Sequence, residues 1–304
     1  MASTVLLFLF GAAIPLAGVA LIPLVPQPAL AFGLRHGAGK GSGLVALATA
    51  MLFYLGGKEM ALGYSLLALM VLLLLFCFGR GWPIEWVVAS AAAGMLAALS
   101  AALLFSFGSL SGVRDGVGAA LKENLDLSLG LYDKMGLSSQ GLELLRERGP
   151  QIVEMVLRIT PALAFAGFVT VILINIFFLM RRFPERHSLL ASTADLREWR
   201  SPEPLVWCFI LSGFGLFLPA GETVRTWALN LFLMMAVFYF FQGLSIVAYY
   251  FHHKHVPYFL RGLAYVLIVF EQIFTLFVVG LGLFDLWGDF RRLKKKDLHP
   301  SGVS

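Results

Sequence analysis

The sequence predicts an all-α fold, a polytopic transmembrane helical bundle of about eight spans with an amphipathic helical insert. Hydrophobic residues make up 59% of the 304 residues and charged residues 13%, whereas soluble domains carry about a quarter charged residues. Several apolar runs approach the ~20 residues that a helix needs to cross the hydrocarbon core. Because these runs do not alternate strictly, they favour helices over the strands of a membrane barrel.

The eight predicted spans are the apolar runs, bounded by proline, glycine and charged residues. They cover Val5–Ile22, Pro28–Leu55, Ala61–Phe78, Trp86–Phe107, Ile152–Met180, Leu205–Leu218, Trp227–Tyr250 and Tyr258–Trp287. No soluble domain remains between them, so residues 1–304 are predicted to form a single integral membrane domain.

Two segments outside the spans have a different composition. Residues 113–148 mix charged side chains with leucines, which predicts an amphipathic insert lying on the membrane surface. Residues 289–304 form a basic tail that is predicted to lie in the cytoplasm. Its cations are predicted to attract anionic lipid; they are Arg291, Arg292, Lys294, Lys295 and Lys296.

The charge pattern conflicts with the span count. An even number of spans puts both chain ends on one side, and the basic tail assigns that side to the cytoplasm. The Arg181–Arg200 loop, which is also basic, would then lie outside, against the same rule. Either the span count is wrong by one or this loop breaks the rule. We place the tail in the cytoplasm because its basic run contains no acidic residue, whereas the loop contains several.

The second predicted span contains a glycine cluster with basic neighbours. Gly39-Lys40 resembles the end of a phosphate-binding loop, but the required earlier glycine is Leu34 and the required Ser or Thr is Gly41. The cluster fits a broken helix that lines a polar site better than it fits a phosphate-binding loop. The substrate-binding candidates there are Arg35, Gly37 and Gly39. The alternative is an ordinary loop between two short elements.

Polar side chains inside the other spans are the remaining candidates for substrate binding. Asn175 lies in the fifth span, Asn230 and Gln242 in the seventh, and Glu271 midway along the eighth. An ionisable group at the centre of a bilayer costs ~2.5–3.5 kcal/mol or more, so Glu271 is the most suggestive of them. The alternative for each is a buried group that only holds helices together.

No chemical constellation accompanies these candidates. Cys77 and Cys208 lie in apolar runs without metal-ligand spacing. No catalytic motif has convincing spacing, so no enzyme activity, catalytic residue, metal site or cofactor is predicted. The basic tail lacks the aromatic or folded context of a nucleic-acid-binding segment.

Two stretches near the C-terminus carry a resemblance to a known family. Gln242-Gly243 and the closing pattern Gly282-Leu-x-Asp285-x-x-x-Asp289-Phe-Arg resemble the YybS-like family of predicted bacterial membrane proteins, catalogued as a domain of unknown function. The resemblance covers most of the chain. It implies a multi-pass protein of the bacterial cytoplasmic (inner) membrane and no established activity.

A more distant similarity is to the substrate-binding (S) components of energy-coupling-factor transporters and to the rod-shape protein MreD. It rests on the proline and spaced glycines from Pro28 to Gly37, and on Ala13 and Ala17, which would match an S-component face that contacts a partner subunit. The S-component likeness implies a transporter-like protein that binds an unknown small molecule. The MreD likeness implies the alternative, a non-catalytic membrane scaffold that docks partner proteins.

Overall fold

The computed structural model describes residues 2–134, 139–183, 196–219 and 221–291, and it confirms the all-α bundle. These ranges contain eleven helices, together with short 3₁₀ turns at Ile22–Leu24 and Leu196–Glu198. The helices are α1 (Ala2–Ala13), α2 (Pro15–Leu21), α3 (Gln27–His36), α4 (Ala38–Gly79), α5 (Ile84–Phe107), α6 (Leu110–Lys134), α7 (Ser139–Arg182), α8 (Leu205–Gly215), α9 (Gly221–His253), α10 (Tyr258–Phe270) and α11 (Gln272–Gly288).

The predicted count of eight spans is not confirmed. Among the described residues, five helical stretches are long and apolar enough to cross a membrane, or six if the bent pair α10–α11 counts as one; this count takes Gly18–His36 as one stretch and α4 as one. The first predicted span divides into α1 and α2 because Ile14 is extended and Pro15 starts a new helix. Helix α8 has only 11 residues, a rise of about 16 Å, which is roughly half of the hydrocarbon core.

The division of the first span also separates Ala13 from Ala17. Ala13 ends α1, whereas Ala17 belongs to α2, so the two alanines belong to two helices and not to the single span that was predicted. The small residues in this region serve an internal contact instead. A Cβ at Gly18 would come within 2.5 Å of the Gly11 carbonyl oxygen, so the two short helices pack closely against each other.

Helix α4 reverses direction at Gly57, whose backbone (φ 69°, ψ −165°) is accessible mainly to glycine. The packing shows the reversal, since a Cβ at Gly41 would lie 2.7 Å from the Leu75 side chain near the other end of α4. The two antiparallel arms, 38–56 and 58–79, occupy the runs predicted as the second and third spans.

The predicted insert 113–148 is helical, but it is continuous with the fifth predicted span. Helix α7 has 44 residues, a length of about 66 Å, and so extends well beyond the ~30 Å hydrocarbon core. Its N-terminal part packs antiparallel to α6 through ion pairs between Arg114 and Glu154 and between Asp133 and Arg146. The insert is therefore a helical hairpin; residues 135–138, between α6 and α7, lie outside the described residues.

Residues 196–200 and the end of α11 meet at one end of the bundle, which we name the arginine end. Arg200 pairs with Asp289, and Arg291 donates to the Arg197 carbonyl at 2.8 Å. The predicted conflict depends on one straight span over Tyr258–Trp287, whereas the chain bends by 99° between α10 and α11.

Candidate functional site

A buried ion pair ties the end of α11 to the segment that follows α7. The Arg291 guanidinium lies 2.7 Å from the Asp285 carboxylate, and both side chains are fully buried. Arg291 also donates to the Trp199 carbonyl at 3.0 Å and to the Ser245 hydroxyl at 2.7 Å. We name Gln242, Ser245, Asp285 and Arg291 the polar clamp.

The polar clamp satisfies a stretch of irregular backbone. Residues 199–201 are not helical, so their N–H and C=O groups need partners from other elements. The Gln242 side-chain oxygen accepts from the Ser201 N–H at 3.0 Å, and the Ser245 hydroxyl lies 3.1 Å from the Trp199 carbonyl. Gln242, a predicted substrate-binding residue, is fully buried and binds the protein's own backbone.

The position of Arg291 corrects its assignment to the basic tail. A buried side chain that is paired with Asp285 is not available to lipid headgroups, as had been predicted for it. Burial lowers the pKa of the Arg291 guanidinium from its usual value, and Asp285 opposes that shift. Arg292, Lys294, Lys295 and Lys296 lie outside the described residues.

Asn230 bridges a proline break in α7. Pro161 has no N–H to donate and disturbs the helix ladder around it. The Asn230 side-chain oxygen accepts from the Ala162 N–H at 3.0 Å, while its amide donates to the carbonyls of Arg158 at 2.8 Å and Thr226 at 3.0 Å. Both amide donors are therefore used within the protein, where they hold α7 against α9.

Asn175 holds the turn before α3 against α7. Its amide donates to the carbonyls of Pro23 and Val171, both at 2.8 Å. Its side-chain oxygen accepts from Gln27 at 3.0 Å. Gln27 in turn lines a cavity, so Asn175 supports the wall of that cavity from behind.

This cavity, of about 810 Å³, lies between α1, α3 and the end of α7. Much of its wall is apolar, with Leu7 and Phe32 among the contributors. Three arginines and a histidine also line it: Arg35, His36, Arg181 and Arg182. The described residues that line this cavity, which we name the arginine cavity, include no acidic side chain.

Aromatic rings position two of these guanidinium groups. Arg35 lies 5.0 Å and Arg182 lies 6.0 Å from the centroid of the Phe183 ring. A ring face attracts a cation without neutralising its charge. His36 stacks on Phe32, with ring centroids 4.4 Å apart. The arginine cavity therefore combines an apolar wall with cations held in place at one side.

The glycine cluster forms a one-residue turn beside this cavity. Gly37 (φ 101°, ψ 148°) separates α3 from α4, so the helix break predicted here is present. Two residues earlier, Arg35 lines the arginine cavity. A Cβ at Gly41 would lie 2.7 Å from the Gly33 Cα, so the glycines allow α3 and α4 to approach closely. Gly39 lies in the first turn of α4 with open space around it.

Glu271 lies at the junction of α10 and α11, where its backbone is extended (φ −101°, ψ 113°). Its side chain is exposed and is not among the residues that line the arginine cavity. The Thr275 hydroxyl donates to the Ile268 carbonyl at 2.5 Å and so caps the end of α10. Glu271 thus marks a helix junction, apart from the other predicted site residues.

The structure brings together residues that were not predicted as a group. Gln27, His36, Arg181 and Arg182 join Arg35 at the arginine cavity. In the sequence, the basic pairs Arg35-His36 and Arg181-Arg182 each follow an apolar stretch. The sequence does not show that these two stretches are neighbours, because that depends on the fold. Within the described ranges, no three His, Cys, Asp or Glu side chains come together as ligands for a metal ion.

Comparison with known proteins gives one clear match. Residues 2–286 match the family described as predicted membrane protein (DUF2232). No curated protein and no solved structure matches the chain. The family match is consistent with the YybS-like resemblance, whereas the likeness to S components and MreD gains no support. Because the match extends over nearly the whole sequence, the chain belongs to the DUF2232 family of predicted membrane proteins.

Proposed function

We propose that this membrane protein binds an anionic small molecule with an apolar part in the arginine cavity, as a transporter-like binding protein without catalysis. The observation that carries the proposal is the lining of three arginines and a histidine without a described carboxylate. Guanidinium groups recognise carboxylates and phosphates through paired hydrogen bonds. The volume of about 810 Å³ is within the range of small-molecule sites, roughly 300–1,000 Å³.

The same pattern supports an orientation. The described cations of the arginine end include Arg200 and Arg291, and Arg35, Arg181 and Arg182 line the arginine cavity. Since basic residues beside spans are retained in the cytoplasm, we place the arginine end on the cytoplasmic side of a bacterial inner membrane. The α6–α7 hairpin then projects on the opposite side.

Titration with octyl phosphate tests the binding site, because this probe combines a phosphate with a short apolar chain. The protein is purified in an uncharged mild detergent and binding is followed by calorimetry. We expect Arg35→Gln to weaken binding about tenfold, equivalent to ~1.4 kcal/mol. Inorganic phosphate and octanol, which each supply half of the probe, should bind more weakly than octyl phosphate.

Arg80→Gln is the matched control. Arg80 is exposed and stacks on Phe76 at 4.7 Å, away from the lining of the arginine cavity. Binding should be unchanged in this variant. Equal affinity in Arg35→Gln and the unmodified protein, or an equal loss in Arg80→Gln, would contradict the proposal.

A scaffold that docks a partner protein is the second candidate function. Helix α6 exposes Leu127 and Leu131, 62% and 61% exposed, on the hairpin that extends α7. Cross-linking in the native membrane, compared between the unmodified protein and Leu127→Lys, tests this alternative. A single partner lost in the variant would favour the scaffold; unchanged cross-links would remove the hairpin face from consideration.

A further inference from the structure

A second cavity, of about 880 Å³, lies between α7, α9, α10 and the segment held by the polar clamp. Phe178 and Arg181 line both cavities, so the end of α7 separates them. Six aromatic side chains contribute to its wall: Phe177, Phe178, Trp199, Phe241, Phe251 and Tyr265. We name it the aromatic cavity; it adjoins the site of the proposed function and shares Phe178 and Arg181 with it.

Basic side chains line the aromatic cavity, and its described lining contains no acid. Arg181, Arg197, His252 and Arg261 contribute to it. Arg261 donates to the carbonyls of Val256 at 2.7 Å and Phe251 at 3.1 Å, which fixes its guanidinium beside the end of α9. The cavity therefore offers positive charge at Arg261, whose position is held by the backbone.

The helix that closes one side of this cavity faces outward with an apolar surface. Helix α10 contributes Arg261 and Tyr265 to the cavity and packs mainly on α11, from which the 99° bend at Glu271 separates it. Its outer face exposes Phe259 and Phe270, 80% and 81% exposed. An apolar face of this kind meets hydrocarbon in a membrane, so the cavity wall adjoins the bilayer.

We propose that the aromatic cavity binds a membrane lipid with an anionic headgroup. Part of an acyl chain lies among the aromatic side chains, while the headgroup meets the guanidinium group of Arg261. The mostly apolar lining and the adjoining bilayer favour a lipid over a water-soluble anion.

Native mass spectrometry with added phosphatidylglycerol tests this site. Ala248 lines the aromatic cavity, and Ala248→Trp obstructs it. We expect this variant to retain about tenfold less phosphatidylglycerol. The matched control is Ala97→Trp, at an exposed position on α5, which should retain lipid as the unmodified protein does.

Three further arms identify the ligand class and separate this site from the arginine cavity. Phosphatidylcholine should bind more weakly than phosphatidylglycerol, and free glycerol phosphate should not displace the lipid. Arg35→Gln should retain phosphatidylglycerol while losing octyl phosphate, whereas Ala248→Trp should do the reverse. Equal lipid retention in Ala248→Trp, displacement by glycerol phosphate, or loss of lipid in Arg35→Gln would overturn the proposal.

Discussion

The polar clamp and the arginine cavity place arginines at the same end of the bundle in opposite states. In the clamp, Arg291 is fully buried and meets Asp285, two carbonyls and a hydroxyl. In the cavity, Arg35 and Arg182 face an aromatic ring, and the described lining supplies no carboxylate. The first arrangement holds the fold together, whereas we propose that the second leaves charge for a ligand.

The largest effect should come from breaking the clamp. Asp285→Ala leaves the Arg291 charge buried without its carboxylate, so the free energy of unfolding should fall by about 3–5 kcal/mol. Unfolding by sodium dodecyl sulfate, followed by tryptophan fluorescence, measures the loss. A variant as stable as the unmodified protein would show that the pair contributes nothing to folding.

A smaller effect should come from the turn that frames the arginine cavity. Gly37→Ala forces a side chain into backbone angles that essentially only glycine adopts, which costs roughly 1–3 kcal/mol. Gly39→Ala, with open space at its Cβ, should be tolerated. The two variants are compared in the same unfolding titration, and equal stability would show that the turn relaxes without strain.

Ligand affinity should change while stability does not when a cavity arginine is replaced. Arg182→Gln should weaken octyl phosphate binding about fivefold, equivalent to ~1 kcal/mol, and leave the unfolding curve in place. Raising the salt concentration should weaken binding to the unmodified protein, because exposed charges are screened. Affinity that is insensitive to salt would mean that the apolar wall alone binds the probe.

The smallest effect should come from an arginine that is exposed. Arg114 and Glu154 pair on the surface of the α6–α7 hairpin with more than half of each side chain exposed. Glu154→Ala should therefore cost about 0–1 kcal/mol. A loss as large as that of Asp285→Ala would remove the distinction between buried and exposed pairs in this protein.

The helical fold could be predicted because hydrophobicity is a local property of the chain. The two breaks differ in how visible they are in the sequence. Gly57 reverses α4 beside Lys58 and Glu59, in the gap predicted between the second and third spans. Glu271 marks a 99° bend inside the run predicted as the eighth span, which is long and apolar enough for an unbroken helix, so composition alone indicates one straight span there.

The candidate site was predicted in part. Arg35 lines the arginine cavity, and Asn175 supports its wall through Gln27. Gln242 and Asn230 were selected because they are polar and lie in apolar runs, yet both bind backbone groups that irregular structure leaves without partners. Their partners at Ser201 and Ala162 are 41 and 68 residues away, so no local pattern could distinguish support from ligand binding.

The clamp also bears on how the protein is made. Arg291 satisfies carbonyls that lie 92 and 94 residues earlier in the chain. During synthesis, the segment after α7 enters the membrane long before its partner has been translated. We therefore expect the bundle to reach its final packing only once the ribosome has passed Arg291, with an insertion chaperone or lipid covering the unfinished face until then. A reporter fused in place of the chain from Arg291 onward should therefore give a protein that inserts into the membrane but does not reach the final packing of the bundle.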